Sequence, residues 1–264
     1  MDSTRASKRG LCPWSIAAVL SIAATLGFLV YAGCRGRLER AALSPDEVLA
    51  KRPELALERT PEFDYAPPAP GSYELPVIQP AGDGEVVGPD GETRRLSEVI
   101  EGRIALLSFI YTRCADPTAC PRATGMLWQV RAFSEEDPAL AKNLRLVSLS
   151  FDPEHDTPEV MASYSRPYRG GGDGSDWLFL TARSSKELAP ILDQYGQLVE
   201  RKKDPGDAYG PLNHPVRVYL IDRRGRIRNI YSLGLLDPRL VAVDVRTLLI
   251  EEARERAEGS RGEA

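Results

Sequence analysis

The feature that most constrains the fold is an apolar run from Ile104 to Tyr111 that leads into two cysteines. The length and residue types of this run predict a buried β-strand. Cys114 follows the strand, and Cys120 stands directly before Pro121. Proline is favoured in the first turn of a helix, where its missing N–H would have no partner, so we expect a helix to begin here with Cys120 at its N-cap. A thiol at a helix N-terminus is stabilised as the thiolate, the form that attacks disulfides and binds metals.

The five residues between the two cysteines must turn back if the thiols are to act together. Fully extended, the chain from Cys114 to Cys120 would reach roughly 20 Å. Two cysteines that share a metal or a disulfide have Cα atoms within about 7 Å of each other. Asp116-Pro117 is typical of the turn that is needed. The strand, loop and helix start favour a functional pair; a structural disulfide and two unrelated core cysteines are the alternatives.

The first 34 residues have the pattern of a targeting segment. Three basic residues precede an apolar run that begins at Ser15, which predicts a secretory signal or a membrane anchor. Tyr31-Ala-Gly-Cys34 resembles a bacterial lipoprotein cleavage box, in which the cysteine becomes lipidated. The segment from Leu11 to Gly33 is also long enough to cross a bilayer uncleaved. Lipidation at Cys34 and an uncleaved transmembrane anchor are therefore both open.

Composition divides the rest of the chain into three parts. Residues 35–70 are polar and rich in proline and are interpreted as a tether. Residues 254–264 are charged and predict a flexible tail. Residues 71–253 form a single domain that is large enough to bury a core. The net charge of −4 gives no indication of a nucleic-acid surface.

Strand and helix patterns alternate within this domain, which predicts an α/β fold: a mixed sheet flanked by helices, entered through an N-terminal hairpin. The thiol loop then lies at the carboxyl end of a central strand, where α/β sheets usually place their sites. The predicted strands are a hairpin-like entry at Tyr73–Ile78 and Gly84–Arg94 with a turn at Pro89-Asp-Gly91, single strands at Leu144–Phe151 and Asp176–Leu180, and a second hairpin at Val216–Ile221 and Arg226–Tyr231. The predicted helices run from Cys120 to about Phe133, from Ser184 to Tyr195 and from Leu240 to Arg254, and another helix starts at Asp156-Thr-Pro-Glu159.

An ordered set of motifs resembles the Sco/SenC family, thioredoxin-like proteins that handle copper during cytochrome c oxidase assembly. The resemblance spans roughly residues 71–250 and implies a thioredoxin-like fold. The ordered set is far more specific than any one of its members. It comprises Leu107-Ser-Phe-Ile-Tyr-Thr-Arg-Cys114, Cys120-Pro121, Ser150-Phe-Asp-Pro-Glu-His-Asp-Thr-Pro-Glu159, Trp177-Leu-Phe-Leu-Thr181, His214, and Val218-Tyr-Leu-Ile-Asp222 with Gly225.

The resemblance implies that copper, as Cu(I) or Cu(II), is bound by Cys114, Cys120 and His214. Two soft thiolates and one imidazole suit Cu(I), whereas a closed structural zinc site needs four protein ligands. One departure matters, because the family's usual motif has three residues between the cysteines and this chain has five. Three outcomes are open for the longer loop: it relaxes the copper geometry, it abolishes tight copper binding, or it simply bulges outward.

Several residues near these motifs have an ordinary structural interpretation. His155 is expected to be an exposed residue at a helix start, and Asp152 and Asp156 are expected to be turn and cap residues. Tyr111, Arg113 and Asp116 flank the first thiol, and two interpretations are open. Either they tune the pKa of that thiol or contact a partner, or Tyr111 is simply a strand-end aromatic and the other two are solvated loop residues. Since thioredoxin-like folds often place a cis-proline opposite the thiol loop, His214-Pro215 is a candidate for that bond.

The sequence thus leads to a membrane-anchored copper-binding protein with its domain on the extracytoplasmic, periplasmic side. It is predicted to deliver copper from Cys114, Cys120 and His214 to the dinuclear copper site of an oxidase subunit, with that subunit or its assembly factors as partners. The alternative is a thiol-disulfide oxidoreductase that acts on exported proteins, in which Cys114 and Cys120 are the redox pair and His214 is dispensable. A structural module with an inert disulfide is a third hypothesis.

Overall fold

The computed structural model describes residues 62–169, 173–204 and 206–262. The predicted signal or anchor at residues 1–34, and most of the predicted tether at 35–70, lie outside this part of the chain. Within the described residues, no helix combines the length and the apolar character needed to span a bilayer.

A six-stranded mixed sheet organises the domain. Its strand order is β1-β10-β9-β4-β5-β6, in which β4, β5 and β6 run parallel and β9, β10 and β1 add in antiparallel fashion. Two small hairpins, β2–β3 and β7–β8, lie outside this sheet. The strands are β1 (Gln79–Pro80), β2 (Glu85–Val87), β3 (Thr93–Arg95), β4 (Ile104–Ile110), β5 (Leu144–Ser150), β6 (Asp176–Leu180), β7 (Glu200–Arg201), β8 (Leu212–Asn213), β9 (Arg217–Ile221) and β10 (Arg226–Ser232).

Helices cover both faces of the sheet. On one face, Leu107 and Phe109 join a buried cluster with Met161, Leu188 and Ile191 from two of the helices. Successive strand side chains point to opposite faces, so the other buried positions of β4 face α2, which packs on β4 and β5 beside α3 and α6. The helices are α1 (Leu96–Ile100), α2 (Cys120–Glu136), α3 (Pro138–Asn143), α4 (Pro158–Tyr164), α5 (Ser185–Gln194) and α6 (Pro238–Gly262), with 3-10 turns at Arg166–Tyr168 and Leu233–Leu235.

The predicted α/β fold is confirmed, and most predicted elements form within one or two residues of their expected limits. The carboxyl end of β4 leads into the thiol loop as expected, and every residue of β4 is buried. The predicted helix after β4 forms as α2, but the prediction that Cys120 is its N-cap was wrong: Cys120 is the first helical residue and Ala119 is the cap. The predicted turn at Pro89-Asp-Gly91 joins β2 to β3, with Gly91 at a φ of 80°.

The structure differs from the expectations at several places. Tyr73–Ile78 forms no strand; the edge strand is the two-residue β1, because prolines at 76 and 80 have no N–H to donate to a ladder. Helix α3 was not predicted, although Asp137 caps it by accepting bonds from two backbone N–H groups. Helix α6 continues to Gly262, beyond the predicted start of the tail at Arg254, since its Glu, Ala and Arg residues are strong helix formers.

Candidate metal centre

The thiol loop turns back between the two cysteines. Ala119 N donates to Asp116 O at 3.1 Å, and Thr118 N donates to the Asp116 carboxylate at 2.9 Å. The predicted turn at Asp116-Pro117 is thus confirmed. Residues 117 and 118 are exposed, whereas Cys114 is half-buried and Cys120 is 1% exposed. The middle of the loop therefore bulges towards solvent while its two ends bring the thiols inward.

The register of the sheet brings His214 to this loop. Val218 of β9 is paired with Ser108 of β4 in antiparallel register. A residue four positions before Val218 is therefore level with a residue four positions after Ser108, which is Thr112 at the start of the thiol loop. His214 occupies that position, directly after β8. A separation of 94 residues along the chain thus becomes a contact between His214 and Cys120.

Aromatic rings from the ends of two parallel strands hold the imidazole. The ring of His214 packs edge-on to Tyr111, with centroids 5.8 Å apart, and lies 4.7 Å from Phe151. Its Nδ1 lies 3.3 Å from the carbonyl O of Pro215. A carbonyl only accepts, so this contact selects the tautomer with the proton on Nδ1 and leaves the Nε2 lone pair directed at Cys120.

The three predicted ligand residues are brought together in the structure. The Sγ atoms of Cys114 and Cys120 and a ring nitrogen of His214 all lie within 4.8 Å of one another. The distance from Cys120 Sγ to His214 Nε2 is 3.4 Å, and the two cysteines are free thiols. Two donors that share one ion at bond lengths of about 2.3 Å are at most about 4.6 Å apart. The donor set therefore fits a small, soft cation with little movement.

The two thiols differ in acidity, in the opposite sense to the sequence expectation. The hydrogen bond from the Cys120 thiol lowers the pKa of Cys114, and the Cys120 backbone N–H at the helix start adds to this effect. The same bond, together with burial, raises the pKa of Cys120. The predicted thiolate at Cys120 was therefore wrong: the helix N-terminus stabilises the negative charge on the neighbouring Cys114.

A glycine allows the β7–β8 hairpin, which carries His214, to lie against the thiol loop. Gly210 has a φ of +99°, and a Cβ added to it would lie 2.7 Å from the carbonyl O of Arg113 and closer still to the Tyr111 hydroxyl. Ala115 N donates to Tyr209 O at 3.3 Å, and the Tyr111 hydroxyl lies 3.2 Å from the same carbonyl. The close approach therefore depends on the absence of a side chain at position 210.

The loop after β5 anchors the other side of the thiol loop. Asp152 is 4% exposed and forms a 2.5 Å ion pair with Arg113. Asp156 is fully buried and accepts a hydrogen bond from the backbone N–H of Thr112. The expected cap role of Asp156 was wrong, because Thr157 is the N-cap of α4 and accepts from the N–H of Val160. His155 is exposed, as predicted.

The remaining expectations have mixed outcomes. The peptide bond between His214 and Pro215 is trans, so the cis-proline hypothesis was wrong. Asp116 accepts its bonds from within the loop, and the Tyr111 hydroxyl reaches the carbonyls of Tyr209 and Leu212. Tyr111 is thus a buried strand-end aromatic that supports the site.

Sequence reasoning missed three contributors to the site: Phe151, Gly210 and the hydrogen bonds of Asp156. For Asp156 a signal was available in the sequence. Thr157 stands directly before a proline at the first helical position and is therefore the expected cap, so Asp156 is free to bind elsewhere. Gly210 gave no such signal, since its close approach to Tyr111 arises only in the folded structure.

Comparison with known proteins gives consistent results. The SCO1/SenC family model matches residues 83–249. The SCO1 protein homolog of Bacillus subtilis is 26% identical over 143 residues, covering 54% of this chain and 68% of the relative. A SCO1/SenC family lipoprotein from Bacillus anthracis has a similar structure, with a TM-score of 0.56, 21% identity, and coverage of 67% of this chain and 99% of that one.

The structure of Bradyrhizobium japonicum ScoI with copper bound is also similar, with a TM-score of 0.52 and 23% identity. It covers 64% of this chain and 98% of the ScoI chain. These structural likenesses establish the thioredoxin-like fold, as in Sco proteins. Because the family model covers most of the described domain, from the β2–β3 hairpin into α6, the chain belongs to the SCO1/SenC family.

Proposed function

We propose that this protein binds copper at Cys114, Cys120 and His214 and delivers it to the dinuclear copper site of a cytochrome c oxidase subunit during assembly. The observation that carries the proposal is the convergence of two thiols and one imidazole nitrogen within 4.8 Å at the carboxyl end of β4. Two sulfurs and one nitrogen favour Cu(I), which accepts low coordination numbers. The ScoI relative described with copper bound supports the choice of metal.

The difference in exposure between the ligands suggests a direction for copper release. Cys120 is buried beneath the loop, whereas Cys114 is half-buried and His214 lies at the end of a surface hairpin. An incoming ligand of the acceptor would therefore approach the ion from the side of Cys114. Exchange of one ligand at a time keeps the ion coordinated throughout, and no electron transfer is needed if copper moves as Cu(I).

Anchoring to the membrane completes the proposal. The basic flank and the apolar run before Cys34 support a targeting segment. The thiol pair supports export, with the domain on the extracytoplasmic side. The mass of the N-terminal peptide from membrane-extracted protein distinguishes the two modes of anchoring. A diacylated peptide that begins at Cys34 indicates a lipoprotein, and an intact peptide from Met1 indicates a transmembrane anchor. Recovery of the protein in the soluble fraction would contradict both.

Anaerobic competition with a chromophoric Cu(I) chelator tests the copper site, with the full reduced chain in detergent. We expect one tight site in the wild type, no tight site in Cys114→Ser or Cys120→Ser, and strong weakening in His214→Ala. The chain has only two histidines, so His155→Ala is the matched histidine control. It removes one of the four contacts to Asp156 and should weaken binding far less than His214→Ala does. A double change of Cys12 and Cys34 to Ser controls for the remaining thiols. Equal binding by all variants would refute the proposal.

The arrangement of the two thiols also supports a second function, that of a thiol-disulfide oxidoreductase. The half-buried Cys114 would attack a partner's disulfide, form a mixed disulfide and release one partner thiolate. Cys120 would then attack the sulfur of Cys114, pass its proton to the nearby His214 Nε2 and release the second partner thiolate. The partner gains two electrons, and a Cys114–Cys120 disulfide forms.

Alkylation of the reduced protein tests this order of attack. We expect iodoacetamide to label Cys114 well before Cys120, because Cys114 is more exposed and is the favoured thiolate. Peptide mass mapping separates these two cysteines from Cys12 and Cys34. Faster labelling of Cys120 would exclude Cys114 as the attacking thiol. If His214→Ala still reduces a model disulfide but loses copper, the two functions are separable.

A further inference from the structure

A buried carboxylate beneath the thiol loop joins three segments of the chain. Asp156 is 0% exposed, and its Oδ2 accepts from Thr112 N at 2.9 Å and from Ser150 Oγ at 2.5 Å. Its Oδ1 accepts from Thr112 Oγ1 and lies 3.1 Å from His155 Nδ1. We name these four residues the Asp156 network. Both carboxylate oxygens have two partners each, as a buried carboxylate requires.

The same groups could be considered as a second metal site, since donor atoms of Asp152, His155 and Asp156 lie within 4.8 Å of one another. The hydrogen bonds argue against that interpretation. Asp156 already accepts four bonds, and Asp152 is paired with Arg113 at 2.5 Å. A cation would have to displace most of these partners. The cluster is therefore built to hold the protein's own thiol loop.

The Asp156 network affects the thiol pair because it holds Thr112, which lies close to Cys114 in the chain. Thr112 is the second residue after β4 and lies two residues before Cys114, and the network holds both its backbone N–H and its hydroxyl. Arg113, the next residue, is held by Asp152. By contrast, the bonds of Asp116 further along the loop are local to the turn. The approach to Cys114 is therefore held mainly from the β5–α4 loop, together with the backbone hydrogen bond from Cys114 N to Tyr111 O at 3.2 Å.

We propose that Asp156 is a positioning residue that sets the copper affinity and the redox equilibrium of the thiol pair by fixing Thr112. This inference rests on the proposed function for its copper part only. Loss of the carboxylate leaves the N–H of Thr112 without its partner and frees the segment that places Cys114 relative to Cys120 and His214. Removal of such an outer partner of a ligand-bearing group typically weakens metal binding by about 10–100-fold.

The test compares four variants of the full chain in detergent by Cu(I) chelator competition. We expect Asp156→Ala to weaken binding by about 10–100-fold. Asp156→Asn should retain most of the affinity, because its amide oxygen accepts from Thr112 N and Ser150 while its NH₂ donates to the Thr112 hydroxyl. Thr112→Val should weaken binding less than Asp156→Ala. It also serves if Asp156→Ala fails to fold, since Thr112 is only partly buried.

The fourth variant, Asp244→Ala, is the control for stability alone. Asp244 is 1% exposed and accepts bonds from Tyr73, Asn229 and Tyr231 rather than from the thiol loop. We expect Asp244→Ala to lower the melting temperature without changing copper affinity. Equal weakening by Asp244→Ala, or wild-type affinity in both Asp156→Ala and Thr112→Val, would overturn the inference.

A second measurement, of the thiol-disulfide equilibrium, tests the positioning role of Asp156 without copper. The equilibrium of the Cys114–Cys120 pair with a glutathione buffer should change by about tenfold or more in Asp156→Ala, equivalent to about 30 mV, and little in Asp156→Asn or Asp244→Ala. A wild type without a tight Cu(I) site would refute the proposed function. An unchanged thiol equilibrium in Asp156→Ala would refute the positioning role itself.

Discussion

The two ends of the central strand pair β4–β9 use polar groups in opposite ways. At the carboxyl end of β4, two free thiols and an imidazole face one another, and the contact between Cys120 and His214 is 3.4 Å long. At the other end, Asp222 follows β9 and is 4% exposed. It accepts bonds from Arg226 at 2.8 Å and from Arg228 at 3.0 Å.

The paired charges at one end of the strand pair stabilise the fold, whereas the donors at the thiol end are available for binding. Arg228 is 5% exposed and also binds Glu251 at 2.7 Å and the carbonyl O of Leu75 at 3.0 Å, so each charge at this end has a partner within the chain. The donors at the thiol end make weaker contacts among themselves and are suited to a ligand from outside. We therefore expect changes at one end to affect folding and changes at the other to affect binding.

The largest effect should come from Arg228→Met at the paired end. Removal of one partner from a buried ionic cluster leaves the other charges uncompensated and costs about 3–5 kcal/mol of unfolding free energy. Copper affinity should not change, because Arg228 lies at the far end of the sheet from Cys114. Urea unfolding monitored by circular dichroism gives the first quantity, and chelator competition gives the second.

Arg224→Met is the matched control for this change. Arg224 pairs with Glu255, but its side chain is 61% exposed, and such surface pairs contribute about 0–1 kcal/mol. The comparison between the two ends would fail if Arg228→Met lost copper while still folded. It would also fail if Cys120→Ser destabilised the protein as much as Arg228→Met.

Substitution of one glycine at each end of the strand pair tests the comparison, with an expected effect on stability of intermediate size. Gly210→Ala should cost about 2–4 kcal/mol, from the strain at a positive φ and the clash with Tyr111 and Arg113. It should also weaken copper binding, since the displaced hairpin carries His214. Gly225 occupies the β9–β10 turn at the other end, with a φ of +69° and open space where a Cβ would lie.

Gly225→Ala should therefore cost about 1–2 kcal/mol through backbone strain alone and leave copper affinity unchanged. Thermal melting and chelator competition on both variants give the comparison. Equal effects of the two changes on copper binding would show that the close approach of the β7–β8 hairpin does not position His214.

The sequence predicted the central strands and their connection to the thiol loop, because apolar runs such as Ile104–Ile110 carry a local signal. It did not predict β7 and β8, since two-residue strands with polar residues such as Glu200 and Arg201 have no periodicity to detect. The approach of His214 to the thiols followed from the resemblance rather than from spacing. Its physical basis is the register between β9 and β4, which is a property of the assembled sheet.

The acidity of the two thiols shows a different limit of sequence reasoning. The helix start at Cys120 was predicted, and the effect of a helix N-terminus on a thiolate is real. Which sulfur receives that effect depends on how the loop folds back, and the Cys120 N–H contributes to lowering the pKa of Cys114. Likewise Asp156 is recognisable as a polar residue before a helix, but its partner Thr112 lies 44 residues earlier in the chain.

The smallest effect should come from shortening the thiol loop. Deletion of Pro117 and Thr118, both exposed, restores three residues between the cysteines. The loss of the Asp116–Thr118 bonds and the small change in loop entropy should together cost about 1 kcal/mol or less. Asp116→Ala removes the same bonds at full length and is the matched control. If chelator competition gives wild-type Cu(I) affinity for both variants, the extra residues are an outward bulge and the supports outside the loop fix the donors. If only the deletion loses the tight site, the length of the loop itself sets the distance between the two sulfurs.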